Sequence, residues 1–201
     1  MQFILIRHGQ TAWNRQGRFQ GQSRVRLDRT GLSQAIDVAK ASIRFNPSAI
    51  YSSPLPRAVM TAQEISKISG LPIIKVDGFM EISLGDLEGV KGDLMKLKYP
   101  SIYHTWNRDP SKVVFPKGES IQQLQIRACD AIKRIEIDNQ CDTAIVVSHN
   151  FAIRTILSAS LGLPLSKFHS LNVDLGSISI INNGFGTSRV ITINDKCHLS
   201  G

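Results

Sequence analysis

The apolar positions of the 201-residue chain follow two rhythms that take turns. Phe3-Ile4-Leu5-Ile6 is a short unbroken apolar run, as a strand buried on both faces requires. Ala49-Ile50-Tyr51, Ile73-Ile74-Lys75-Val76 and Ala144-Ile145-Val146-Val147 repeat it. Between these runs the spacing becomes helical. Leu32, Ala35, Ile36, Ala39 and Ile43 share one face of a predicted helix, with Thr30 as its expected N-cap. Ala58, Ala62, Ile65 and Ile68 mark a second helix, stopped by Gly70 and Pro72. Ser120-Ile121-Gln122-Gln123 is a capping-box pattern opening a helix whose apolar face is Ile121, Leu124, Ala128, Ile132 and Ile135. A further helix is expected from Phe151 to Leu161. Two last strands, near Ile178–Ile181 and Val190–Ile193, flank Asn182-Asn183-Gly184-Phe185-Gly186, a hairpin signal.

Strands taking turns with helices predict an α/β fold. The expected form is a three-layer sandwich, its sheet mostly parallel, with helices on both faces. Residues 77–119 break the rhythm. They hold glycines at 78, 85, 89, 92 and 118 and prolines at 100, 110 and 116, with one short helix expected over 93–98. That segment is expected to form a small cap or lid within a single domain spanning 1–201.

Composition narrows the partners. No apolar run approaches the roughly 20 residues that span a bilayer. The N-terminal run is too short for a signal-peptide core and Arg7 follows it at once, so a cytoplasmic location is expected. Cys129, Cys141 and Cys197 are odd in number and form no CxxC pair, which suggests reduced thiols rather than a disulfide framework or a zinc ribbon. The formal charge is +8, and Arg15, Arg18, Arg24, Arg26 and Arg29 crowd one stretch with only Asp28 against them. Such a stretch suits a small anionic substrate drawn into a cleft, or is simply a solvated basic loop. No basic helix, zinc-finger spacing or aromatic RNA-binding motif accompanies it, so no nucleic acid is expected, nor a membrane.

Three strand-like runs end in the same kind of chemistry. Phe3–Ile6 delivers Arg7, His8 and Gly9. Ala49–Tyr51 delivers Ser52, Ser53 and, past two prolines, Arg57. Ala144–Val147 delivers Ser148 and His149. Parallel strands bring such tips to one sheet edge, where helix N-termini add oriented N–H donors for an anion. Two imidazoles and two guanidiniums meeting there suit a phosphoryl group, since arginine forks match its oxygens. A Walker loop, an HExxH motif and a DxD carboxylate pair are all missing from the sequence, so neither metal nor cofactor is expected. Glu81, Asp86 and Glu88 are the candidate general acids. Glu81 is best by position, and the other two read more simply as turn and cap residues. A carboxylic acid beside a phosphate dianion keeps its proton because ionising would add a like charge.

Leu5-Ile6-Arg7-His8-Gly9, with Thr11, Trp13 and Asn14, resembles the signature of the histidine phosphatase superfamily, in its phosphoglycerate-mutase-like branch. Tyr51-Ser52-Ser53-Pro54-Leu55-Pro56-Arg57-Ala58 with Thr61-Ala62 resembles its second block. Glu81 with Gly85 and Glu88-Gly89 resembles the acid block, and Gly118-Glu119-Ser120 and Val147-Ser148-His149 resemble the last two. The overall layout is similar to the small bacterial phosphatases. The resemblance implies that His8 is the nucleophile and forms a phosphohistidine. It implies that Arg7, Arg57 and His149 hold phosphoryl oxygens, and that Glu81 gives a proton to the leaving group and later serves water as a base. It also implies that Asn14 donates to a phosphate oxygen and that Gln20 and Gly21 line the substrate mouth. One departure is Asn150, where family members often carry Gly after the second His. Asn tolerates unusual backbone angles, and its amide could point into the site.

The implied activity is a metal-independent phosphomonoesterase acting on a small phosphorylated metabolite, of the phosphoserine or α-ribazole-phosphate kind. A phosphoglycerate mutase is the alternative, and the short span between Glu81 and His149 favours the phosphatase. A non-catalytic phospho-ligand domain is a third reading, which the intact set of nucleophile and acid argues against. Leu165-Ser166-Lys167-Phe168 and Cys197-His198-Leu199 look like the phosphoserine phosphatase group. His104, His169 and His198 read as structural or surface residues, and Trp106 with Tyr99 and Tyr103 as cap packing. The expected partner is a small anionic phosphorylated substrate, and a homodimer is left open.

Overall fold

The computed structural model describes residues 1–138, 142–184 and 187–200. In chain order its elements are β1 (Gln2–Arg7), α1 (Ala12–Arg15), α2 (Arg29–Ser42), β2 (Ala49–Ser52), α3 (Pro56–Ser69), β3 (Ile73–Lys75), α4 (Met95–Lys98), α5 (Pro100–Arg108), α6 (Ile121–Asp138), β4 (Thr143–Ser148), α7 (Asn150–Ser160), β5 (Ile178–Gly184) and β6 (Thr187–Asp195). The six strands form one sheet in the order β3-β2-β4-β1-β5-β6. β1 to β4 are parallel, and β5 and β6 add an antiparallel edge.

The unbroken apolar runs have a direct cause. Phe3 and Leu5 of β1 pack into a core shared with α6 and α7, while Ile4 and Ile6 pack into another shared with α2 and α3. Successive strand side chains point to opposite faces, so a strand covered on both sides must be apolar at every position. The result is the α/β sandwich that the sequence predicts, with helices on each face of a mostly parallel sheet.

Several local expectations are corrected. The N-cap of α2 is Asp28, not Thr30: its Oδ1 accepts from Gly31 N at 3.0 Å, and Thr30 lies inside the helix. A carboxylate one residue outside the positive helix end is the stronger cap. Leu32, Ile36 and Ile68 belong to the exposed sides of their helices. The buried stripe of α2 is Gly31, Ala35, Val38, Ala39 and Ser42, small residues that let it lie close to α3. Over 77–119 there is more helix than the one short piece expected. Pro100 does not end a helix but begins α5, because a residue in the first turn needs no N–H. Trp106 of α5 stacks on Phe151 of α7 at 5.3 Å and meets Phe168 edge-on, so Trp106 with Tyr99 and Tyr103 packs this segment against the N-terminal end of α7. The Ser120 capping box is present in both directions, Gln123 N to Ser120 Oγ at 3.1 Å and Ser120 N to Gln123 Oε1 at 2.8 Å.

The two last strands are longer than expected and take in Asn182, Asn183 and Gly184; Phe185 and Gly186 of the hairpin signal lie outside the described residues, as does Cys141. Cys129 and Cys197 are free thiols, and burial pushes Cys129 up to about 11. Among the described residues no helix is long and apolar enough to cross a membrane.

Candidate active site

Sheet order puts the three polar strand ends side by side. β4 lies between β2 and β1, with Arg7 opposite Ser148 and Ser52 opposite Val147. The ladder runs one residue further on each side: His8 N donates to Ser148 O at 3.1 Å and Ser53 N to Val147 O at 2.9 Å. His8, Ser53 and His149 therefore leave neighbouring strands at one edge. Gly9 lets the chain turn away at once, since a Cβ there would stand 2.3 Å from the Gly31 carbonyl oxygen.

The tautomer of His8 follows from one contact. Its Nδ1 lies 2.7 Å from Gly9 O, and a carbonyl can only accept, so Nδ1 carries the hydrogen. That leaves a lone pair on Nε2, which accepts from Arg57 Nε at 3.2 Å. Burial, then the charges of Arg57 and Arg7, hold His8 well below its ordinary 6.5, so the imidazole is neutral. The ring of His149 lies 5.1 Å from that of His8, centroid to centroid. Its Nε2 is 2.7 Å from Ser53 Oγ, and its Nδ1 is buried with no partner among the described residues. Burial and then the Arg57 charge lower it as well.

Arg57 is only 1% exposed. Besides His8 it donates through Nη1 to Ser23 O at 2.9 Å and through Nη2 to Gly21 O at 2.7 Å. Arg7 donates to Val173 O at 2.7 Å, and its buried Nε finds no partner among the described residues. Burial lowers both guanidiniums to about 10, which leaves them charged at neutral pH. A third, Arg154 of α7, donates to Phe168 O and lies over the Phe168 ring, 3.8 Å from its centroid.

Among the described residues Glu81 is the one buried carboxylate at this edge. It sits at the N-terminus of α7, accepting from Phe151 N at 3.2 Å and Ala152 N at 3.3 Å, and from Ile82 N at 3.0 Å. Ser148 Oγ donates to Phe79 O at 2.7 Å and so ties the strand tip to the segment that carries Glu81. Cations outnumber carboxylates here, and burial leaves little water to screen them. Such an arrangement suits a compact dianion that brings its own oxygens. Among the described residues no group of three His, Cys, Asp or Glu is placed to hold a metal ion.

A model of the histidine phosphatase superfamily (branch 1) matches residues 3–196. The chain belongs to that superfamily. Phosphoserine phosphatase 1 of Hydrogenobacter thermophilus is 35% identical over 199 residues, 99% of this chain and 94% of that protein. Among solved structures, YhfR of Bacillus stearothermophilus aligns with a TM-score of 0.94 at 28% identity, over 99% of both chains. Phosphoserine phosphatase of Entamoeba histolytica, solved in complex with 3-phosphoglyceric acid, aligns with a TM-score of 0.88 at 28% identity, again over 99% of both.

Against the histidine phosphatase pattern, the remaining residues fall as follows. Asn14 and Gln20 meet at Thr11, whose Oγ1 is 2.9 Å from Asn14 Oδ1 and 3.0 Å from Gln20 Oε1, and Asn14 also closes the capping box of α1. Gly21 has φ of +49° and gives its carbonyl to Arg57. Asn150 is the first residue of α7 and has no positive φ, so this turn has no need of glycine; its Oδ1 is buried without a partner among the described residues. Glu88 lies in a turn and caps the 3-10 turn Gly85–Leu87, as the sequence predicts, but its side chain does more. Its carboxylate accepts from Gln22 N at 2.8 Å and Ser23 Oγ at 2.5 Å, pinning the loop whose carbonyls hold Arg57. Asp86 stays at the surface, paired with Lys117 at 3.1 Å. His169 bonds Trp106 O and His198 bonds Gly176 O, each at 2.9 Å, while His104 is exposed. The sequence reading passed over Arg127 of α6, which reaches the backbone around Glu81. The available signal was its spacing, three residues after Leu124 and four before Ala131, which puts a cation on the buried side of α6.

Proposed function

We propose that the chain is a phosphomonoesterase that passes the phosphoryl group of a small anionic ester to His8 and then to water, with no metal. The observation that carries this is the pinned tautomer of His8. Its neutral Nε2 lone pair faces an edge where Arg7, Arg57 and His149 converge. In the first step the Nε2 lone pair forms a bond to phosphorus as the bond to the leaving oxygen breaks. Glu81 gives that oxygen a proton, and the alcohol departs. The Nδ1–H bond to Gly9 O steadies the positive charge that the ring acquires. In the second step Glu81, now a carboxylate, takes a proton from water as the water oxygen attacks phosphorus and the P–N bond breaks. Arg7, Arg57 and His149 hold the equatorial oxygens in both steps, Asn14 adds a donor, and Gln20 and Gly21 border the mouth. Residues 77–119 act as the cap over that mouth.

The substrate class is a phosphate ester with a second acidic group, of the phosphoserine or phosphoglycerate kind. The relatives from Hydrogenobacter and Entamoeba support it, as do the exposed Arg24 and Arg26, which have no ion-pair partner among the described residues and lie beside the Ser23 carbonyl that holds Arg57. The test is a panel of phosphomonoesters, with and without chelator, in which phosphate release and 3-phosphoglycerate isomerisation are measured side by side. Phosphate release that survives the chelator and leaves an acid-labile phosphoenzyme on His8 is expected. Isomerisation outrunning release would make the protein a mutase, and no turnover on any ester would make it a binding domain.

A further inference from the structure

Residues 80–84 follow a single 3-10 turn and belong to no helix or strand, so no ladder of backbone bonds holds Glu81 in place. Side chains hold it instead. Arg127 uses all five of its N–H groups there. Nε donates to Glu119 Oε2 at 3.1 Å. Nη1 donates to Gly78 O at 2.9 Å and Met80 O at 2.8 Å. Nη2 donates to Glu81 O at 2.9 Å and Glu119 Oε1 at 2.5 Å. Glu119 continues the clamp beyond Glu81: Oε1 also accepts from Ser83 N at 2.8 Å, and its own N–H donates to Ser83 O at 2.9 Å. The segment lies hard on α6, because a Cβ at Gly78 would stand 2.7 Å from Ala131 Cβ and 2.9 Å from Arg127 O. One guanidinium and one carboxylate thus grip the main chain on both sides of Glu81, while its carboxyl group reaches α7.

We propose that Arg127 and Glu119 are positioning residues for the general acid, setting where the Glu81 carboxyl group stands relative to the leaving oxygen. The proposal rests on Glu81 being that acid. Lysine cannot replace Arg127, since a point charge with a flexible stem does not make a planar fork with five fixed donors. A misplacement of the acid by about 1 Å costs on the order of a hundredfold in rate.

The experiment measures kcat/KM over a series of phosphate monoesters whose leaving groups run from p-nitrophenol to simple alkyl alcohols. The variants are Arg127→Lys, Arg127→Gln, Glu119→Gln and Glu81→Gln. A good leaving group departs without a proton, so p-nitrophenyl phosphate is expected to lose far less than the alkyl esters, which lose about 30-fold or more in Glu81→Gln and the Arg127 variants. The leaving-group slope of the Arg127 variants then steepens toward that of Glu81→Gln, and adding Arg127→Lys to Glu81→Gln costs little more. Glu119→Gln keeps the acceptor for Ser83 N and should fall between. It carries the same test if an Arg127 variant does not fold. Equal losses across the series for Arg127 and Glu119, with Glu81→Gln steep, would overturn the positioning role and leave the acid standing. A flat response in Glu81→Gln itself would remove the acid assignment and the proposal with it.

Discussion

Arg57 Nε donates to His8 Nε2 at 3.2 Å, so the nitrogen proposed to attack rests against a guanidinium N–H. In the proposed reaction the lone pair leaves this hydrogen bond as the P–N bond forms, and the N–H is free to turn to a phosphoryl oxygen. On that proposal one side chain aims the nucleophile beforehand and stabilises the charge afterwards. Arg57→Lys keeps a cation but loses Nε and the fork to Gly21 and Ser23. Its kcat/KM is expected to fall by about a hundredfold or more, with a smaller phosphoenzyme burst. A loss under about fivefold would separate Arg57 from the reaction.

The two buried imidazoles make stability depend on pH. His8 and His149 are both held below 6.5 in the folded protein, chiefly by burial and next by Arg57. The unfolded chain therefore binds more protons, and stability rises with pH. This contribution is fully present above 6.5 and is lost as pH falls from 6.5 toward the folded values, by at most about 1.4 kcal/mol per unit for each histidine. Urea unfolding at pH 7.5, 6.5 and 5.5 is expected to show that fall, and a shallower one in His149→Asn. The same fall in the variant would mean that other groups carry it.

Glu88→Ala should act on catalysis through a loop. Without its carboxylate, Gln22 N and Ser23 Oγ lose their acceptor, and the Gly21 and Ser23 carbonyls drift from Arg57. A drop of about tenfold in kcat/KM and a weaker inhibition by inorganic phosphate are expected, the size of one or two lost hydrogen bonds to a charged group. Glu88→Gln should recover part of both. An unchanged inhibition constant for phosphate in Glu88→Ala would show that the loop holds Arg57 without it.

Gly9→Ala places a methyl group 2.3 Å from a backbone oxygen of α2, where neither side is a flexible side chain. A stability loss of about 2–4 kcal/mol is expected from such overpacking, with activity falling further than stability because His8 shares the displaced peptide. Thermal unfolding and turnover on the same preparation measure both.

The strand tips were readable because both-faced burial forces apolar runs, and each run stops where its polar chemistry begins. His8, Arg57 and His149 therefore announce themselves. Glu81 lies on an irregular segment and stood out only by its place after the third strand. Arg127 was readable as a cation on the buried side of α6 but not as a site residue, because three of its five bonds go to main-chain carbonyls, which any sequence supplies. Asp28 was passed over for Thr30 since both are good caps and two residues of helix length decide between them. Glu88 is the turn and cap residue its position suggests, but its side-chain partners, Gln22 and Ser23, lie some 65 positions earlier in the chain and left no local signal.

The place of β4 also bears on how the protein comes off the ribosome. It is the strand between β1 and β2, yet the chain reaches its end only at residue 148 of 201. Until then the strands bearing His8 and preceding Arg57 have no shared neighbour, and a nascent chain holds the imidazole apart from the guanidinium that bonds it. Pairings of such long sequence separation are slow to form compared with local ones. Reactivity should therefore appear in one late step, when the middle strand slots in, and no shorter N-terminal product should carry it.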